Sequence, residues 1–245
     1  MSEYKQDRTI LYLSLPLAVL IIINSYYGLF VPGTYARETF NWYVQAIGQD
    51  MVDLFLIVPL LLLTSLLAYK HNKTSITIWG GINVFIIYTY AIYCFDVHFN
   101  GLFLVYCFIL GLSFYSFIYF LITQTKSNFG IQFPVKIPAR TIGVFFIIIA
   151  CLFYLTWLKE IVPAIAGGTI PKSLSDGGIF TNPVHVLDLS IFLPALIITA
   201  ILLLKKRPLS LILTPLMLTF CILMALSISI LIIVMKLKGL AGTCQ

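Results

Sequence analysis

Charge is what this chain has least of. Nine Asp and Glu and fifteen Lys and Arg make up a tenth of its 245 residues, against 60% hydrophobic residues. A soluble domain carries about a quarter of its residues as charges, so an ordinary soluble exterior is excluded. Three histidines with no HExxH or HxxxH spacing leave no zinc-hydrolase motif. No GxxxxGK[ST] stretch is present either, which removes the phosphate-cradling loop of an ATP-driven protein. The five cysteines (94, 107, 151, 221 and 244) form no CxxC, and four fall within apolar runs. They read as small core residues, not as a disulfide framework or redox pair.

What is present is long apolar stretches bounded by charge, Gly or Pro. Seven of them, about 10–31, 51–69, 76–95, 101–123, 141–158, 186–204 and 209–235, approach the length that crosses a bilayer as a helix. The alternation of a membrane barrel is missing, and backbone groups in lipid must bond internally, so the fold class is all-α and polytopic. The first run, "TILYLSLPLAVLIIINSYYGLF", is too long for a signal peptide and lacks a small-residue cleavage site.

The basic residues orient these helices. With the N-terminus inside, Lys5, Arg8, Lys70, Lys73, Lys126, Lys136, Arg140, Lys205, Lys206 and Arg207 fall on the cytoplasmic side. Arg37, Lys159, Lys172, Lys236 and Lys238 fall outside, so the bias predicts a cytoplasmic N-terminus and an extracytoplasmic C-terminus. The net charge of +6 is then a topology signal with contact to anionic lipid, not a nucleic-acid footprint. Acids run the other way. Glu3 and Asp7 lie inside, whereas Glu38, Asp50, Asp53, Asp96, Glu160, Asp176 and Asp188 lie at or beyond outer helix ends.

Fragments recur in order along the chain. "RTI" at 8–10 returns at 140–142, "VP" at 31–32 returns at 162–163, and "VDLFLIVPLLL" at 52–62 returns loosely as "LDLSIFLPALI" at 187–197. The offsets are 132, 131 and 135, and both Asp53–Pro59 and Asp188–Pro194 are six-residue steps. This pattern predicts a single membrane domain made of a first three-helix repeat (1–100), a linker helix (101–125) and a second repeat (140–236), parallel about an axis along the membrane normal. In architecture alone the plan resembles SWEET-type sugar transporters and PnuC-type vitamin transporters, although no Pro-Gln dipeptide is present. The run of helices is also similar to bacterial seven-helix membrane proteins without an assigned function, which implies a cell inner membrane.

The offset of 135 pairs Asp50 with His185 and Asp53 with Asp188. Each doublet is spaced to share one helix face. One role is local: Asn182 with Pro183 reads as a helix N-cap, and Asp50 reads as the cap of the second helix. Caps do not require a second acid deeper in the membrane, where an ionisable group points to function. Asp50, Asp53, His185 and Asp188, with Asn100 from the loop "FDVHFNG" and Tyr88, are therefore the candidates for binding a solute, proton or cation on the outer side. Tyr88, Tyr90 and Tyr93 also suit an interfacial aromatic belt. Pro59 and Pro194 are hinge candidates, Pro16 and Pro215 being unrelated by the offset. Were a metal to bind, His185, Asp188, Asp50 and His98 would be its ligands.

The sequence thus favours a transporter or binding protein for a small solute, with its site at the interface of the repeats. The rivals are a metal-dependent membrane hydrolase and a sensor or complex subunit; no cofactor is assigned. A retinal photoreceptor is disfavoured, because the last helix holds Lys236 and Lys238 only at its end. The orientation is directly testable with a membrane-impermeant maleimide and single-cysteine variants in a cysteine-free background. Lys172→Cys is expected to label in intact cells and Lys206→Cys only after permeabilisation; the reverse pattern would invert the topology.

Overall fold

The computed structural model describes residues 2–70, 72–127 and 137–240, with the side chains of residues 2–7 and 73 not described. Of the charges that orient the chain, Lys136 lies outside the described residues, as do the side chains of Glu3, Lys5, Asp7 and Lys73; Cys244 lies outside them too. Every regular element among the described residues is helical: α1 (Ser2–Phe30), α2 (Phe40–Val52), α3 (Val58–Tyr69), α4 (Lys73–Asp96), α5 (Phe103–Ser127), α6 (Ala139–Gly167), α7 (Lys172–Gly177), α8 (Pro183–Leu187), α9 (Leu193–Leu204) and α10 (Ser210–Leu237). Two π-helical segments, Asp53–Ile57 and Asp188–Phe192, join α2 to α3 and α8 to α9. Seven continuous helical runs are long and apolar enough to cross a membrane.

The second of these runs begins earlier than its hydropathy suggests. It starts at Phe40 and not near 51, capped by Thr39, whose hydroxyl accepts from Trp42 N at 3.4 Å. Asp50 is therefore no cap; it lies inside a helix. The run Phe40–Tyr69 has 30 residues, and at about 1.5 Å per residue it is roughly 45 Å long, against a hydrocarbon core of about 30 Å. Its first turns, polar enough to read as loop, carry the helix beyond the apolar stretch. In the same way α6 continues past 158 to Gly167, carrying Pro163 inside it. Gly168 ends it in the left-handed region (φ 61°), with Thr169 N bonded to Ala164 O at 2.9 Å.

The chain divides into two compact units, residues 1–123 with 218–244, and residues 124–217, the division falling inside α10 just after Pro215. In the first unit α1 packs along α2, the first π segment and α3, and α3 packs on α4. Small residues set the spacing: a Cβ on Gly80 of α4 would meet the Phe120 ring of α5 at 2.8 Å. Trp79 Nε1 donates to Ser14 Oγ at 2.8 Å, a fully buried polar tie between α4 and α1. In the second unit α6 packs along α9, where a Cβ on Gly143 would meet Leu204 Cγ at 2.9 Å.

Two expectations about side-chain placement are overturned. Tyr88, Tyr90 and Tyr93 are buried in the protein and form no exposed aromatic belt. Cys107 and Cys151 are exposed, with Cys94 and Cys221 half-buried, so these thiols are not core fillers. Apolar periodicity cannot separate a lipid-facing from a protein-facing surface, because both are greasy.

The Trp79–Ser14 tie carries a prediction. Trp79→Phe is expected to lower unfolding stability by roughly 1 kcal/mol, the scale of interhelical hydrogen bonds in membranes. Ser14→Ala added to that background should cost little more, measured as a double-mutant cycle by thermal unfolding in detergent.

Candidate functional site

The first unit is organised around one carboxylate. Asp50 is fully buried and accepts three hydrogen bonds from three different parts of the chain. Asn24 Nδ2 of α1 donates to Oδ1 at 3.0 Å, Tyr93 Oη of α4 to Oδ1 at 3.0 Å, and Tyr35 Oη of the 31–39 loop to Oδ2 at 2.8 Å. No Lys or Arg among the described residues is bonded to it; all three donors are neutral. Burial, reinforced by the adjacent Asp50, holds the Tyr35 hydroxyl well above the usual phenol pKa, so it remains a proton donor to the carboxylate.

Asp53 lies one turn further in, also fully buried, and opens the π segment. Gln49 Nε2 donates to its Oδ1 at 2.9 Å, while Gln49 Oε1 accepts from Ser227 Oγ of α10 at 2.7 Å. Tyr90 lies beside Asp53, and its hydroxyl accepts from Asn24 Nδ2 at 3.2 Å. Asn24 thus bridges the surroundings of the two acids. Outward, Tyr93 packs edge-on against Tyr106, whose hydroxyl bonds with Asn100 Nδ2 at 3.0 Å.

The 31–39 loop that carries Tyr35 is tied down at several points. Asn100 Nδ2 donates to Thr34 O at 3.5 Å, Arg37 Nη1 to Phe99 O at 3.0 Å, and His98 N to Glu38 Oε1 at 2.8 Å. His98 Nδ1 also lies 3.0 Å from Glu38 Oε2. Arg37 therefore holds a neighbouring loop.

The second unit holds the other doublet in different company. His185 and Asp188 are both buried, and Asn182 caps α8 as its sequence predicts, Oδ1 accepting from Val184 N at 2.9 Å. Trp157 Nε1 of α6 donates to Asp188 Oδ2 at 2.9 Å, and its ring lies 4.6 Å from that of His185. Glu160 is electrostatically close to His185 and accepts from Ser173 N at 2.7 Å.

The backbone at the two acids is the same. Val58 N bonds to Asp53 O, and Leu193 N bonds to Asp188 O, each one residue further back than in an α-helix. The cause is the following proline. Pro59 and Pro194 lack an N–H, and their rings would strike the carbonyl four residues earlier; one extra residue in the turn clears that clash.

Of the sequence candidates, Asp50, Asp53, His185 and Asp188 are buried, Asn100 is half-buried in a loop, and Pro59 and Pro194 each follow a π-helical segment. The sequence offered Tyr88 for its hydroxyl; Tyr88 packs edge-on against Phe220, with ring centroids 5.7 Å apart. It missed Asn24, Tyr35, Tyr90, Tyr93, Gln49, Ser227 and Trp157 as partners. Asn24 was visible as a lone amide in "LIIINSYYG", but nothing local says which acid it meets. The metal set fares differently: among the described residues no three His, Cys, Asp or Glu side chains are grouped so as to hold an ion.

Gly28 makes the Asp50 contacts possible. A Cβ there would run into Asp50 Oδ2, with Asp50 Cγ at 2.7 Å and Tyr35 Oη at 2.9 Å. Gly28→Ala is expected to cut the yield of folded protein severalfold in fluorescence-detected size exclusion, whereas Gly111→Ala, where a Cβ meets nothing within 4 Å, should behave as wild type. Comparison with protein-family models, curated proteins and solved structures yields no match.

Proposed function

We propose that this seven-helix membrane protein moves a small solute, with Asp53 in the first unit and Asp188 in the second as the working polar group of each, and Pro59 and Pro194 as the points about which its helices flex. The observation that carries the reading is the matched device in the two units. Each has a buried carboxylate as the first residue of a π-helical segment that ends just before a proline. The bounds Asp53–Ile57 and Val58–Tyr69 map onto Asp188–Phe192 and Leu193–Leu204 at an offset of 135 throughout.

A π turn has a displaced hydrogen-bond ladder, so its backbone can revert or shift at little cost, and such turns gather at functional sites. A buried acid at that point couples charge to the local helix geometry. A protein that only fills a membrane has no use for either, since intramembrane carboxylates are costly. The internal duplication, the outer-side placement of the doublets and the role of Asp50 and His185 as outer partners belong to the same reading. For the hydrolase reading, no grouped set of metal-binding side chains occurs among the described residues.

Uptake by cells expressing the full chain, measured over labelled sugars, nucleosides, amino acids and vitamins, tests the proposal. At least one solute is expected to accumulate above vector control, with a tenfold or greater loss in both Asp53→Asn and Asp188→Asn at equal surface expression. Wild-type protein that moves none of the panel, or variants that move every solute as well as wild type, would defeat it.

A further inference from the structure

Asp53 is buried, and one of its oxygens is held in good geometry. Its Oδ1 accepts from Gln49; its Oδ2 has no partner in full hydrogen-bond geometry, although the Tyr90 hydroxyl lies close enough to interact with the carboxylate. Asn24 Oδ1, on the amide whose nitrogen serves both Asp50 and Tyr90, is buried and without a partner as well. Two poorly satisfied acceptors thus occur in one network, although a buried acceptor left unmade costs about 1–3 kcal/mol and a charged one more. The one hydroxyl beside Asp53, that of Tyr90, is shared with Asn24.

The groups around Asp53 supply no positive charge. Its own helix presents Asp50 and Gln49, α1 presents Asn24, α4 presents Tyr90 and Tyr93, and α10 presents Ser227 to Gln49. Two carboxylates one turn apart in a low-dielectric interior repel when both are charged. A metal cation would relieve this only with several converging oxygens, and both oxygens of Asp50 are already engaged by Tyr35, Tyr93 and Asn24. A proton needs one oxygen to hold it and one acceptor to face it, since a protonated carboxyl is an O–H donor.

Resting on the transport reading of this helix, we propose that Asp53 is a site of reversible proton binding, with Asn24 and Tyr90 as its partners and the Asp50–Tyr35 bond closing it toward the outer loop. The site is complete within the first unit. Proton arrival turns Asp53 from an acceptor with a poorly satisfied oxygen into a donor, and proton departure restores like charge beside Asp50. That exchange acts at the first residue of the π segment, where the bond from Val58 N to Asp53 O is the displaced one. The coupled ion of the proposed transport is then a proton.

Infrared difference spectroscopy of the full chain in liposomes, taken between two buffer pH values, reads the site without needing a solute. Wild-type protein is expected to show a carboxylic-acid carbonyl band that appears at the lower pH, is lost in Asp53→Asn and persists in Asp188→Asn. Asp53→Glu should keep a titrating band at a displaced frequency, and Tyr90→Phe should shift it, responses that misfolding does not produce. Identical difference spectra for wild type and Asp53→Asn would overturn the proposal. So would a rise in melting temperature with sodium chloride over choline chloride that Asp53→Asn abolishes, which would assign the site to a metal cation. Loss of the band assignment while Asp53→Asn still abolishes uptake sinks the proton site and leaves the transport reading; a titrating Asp53 band in protein that moves no solute supports the site and counts against that reading.

Discussion

A fully buried carboxylate with no Lys or Arg bonded to it among the described residues finds its stabilisation in neutral dipoles, and Asp50 imposes that demand on most of the first unit. Three donors meet it from α1, α4 and the 31–39 loop. A charged residue near the middle of a membrane helix costs about 2.5–3.5 kcal/mol on insertion scales, and charge-assisted hydrogen bonds of about 1.5–3 kcal/mol each are of the size needed to offset it. The consequence is geometric. Tyr35 can reach Asp50 only if its loop folds inward, and Asp50 can occupy its place only because Gly28 has no side chain. The ties from Arg37, Glu38 and Thr34 to residues 98–100 then secure a loop whose position the buried acid requires.

A second constraint, the proline six residues beyond each acid, shapes the backbone. In membranes a helix break is tolerated only if its freed groups are satisfied again. The π turn does this without water or a partner helix, by passing the Asp carbonyl to the N–H five residues on. The same shift rotates everything before it relative to everything after it. Asp50 and Asp53 both precede the shift, on one regular turn, and meet different neighbours: Asp50 the phenols of Tyr35 and Tyr93, Asp53 the amide of Gln49 and the flank of Tyr90.

How far these features are legible in sequence follows from what each depends on. The seven spans depend on length and greasiness, and the Asn182–Pro183 cap on adjacent residues, so both could be read directly. The Asp-to-Pro spacing was visible too, but not the π segments within it, which depend on how the backbone clears each proline. The start of α2 was hidden because its first turns, "FNWYVQAIGQ", are mixed in polarity, and a helix that leaves the hydrocarbon has no reason to stay apolar. The roles of Tyr35, Tyr93 and Gly28 were hidden for a different reason. They are defined by which helices touch, and in lipid the contact surface carries no hydrophobic contrast to mark it.

The two units carry the same backbone device with different chemistry around it, and that difference bears on what each can do. Asp53 has only neutral partners among the described residues and a second acid beside it, Asp50, which itself accepts from Tyr35 of the 31–39 loop. Asp188 has a tryptophan N–H and, where Asp50 would stand, an imidazole packed on that same indole. A carboxylate with a histidine one turn away can exchange charge within its own doublet, since imidazole gains or loses a proton near neutral pH. Two acids can change charge only by exchange with something outside the pair. The same π turn is thus flanked once by two acids and once by an acid with an imidazole one turn away.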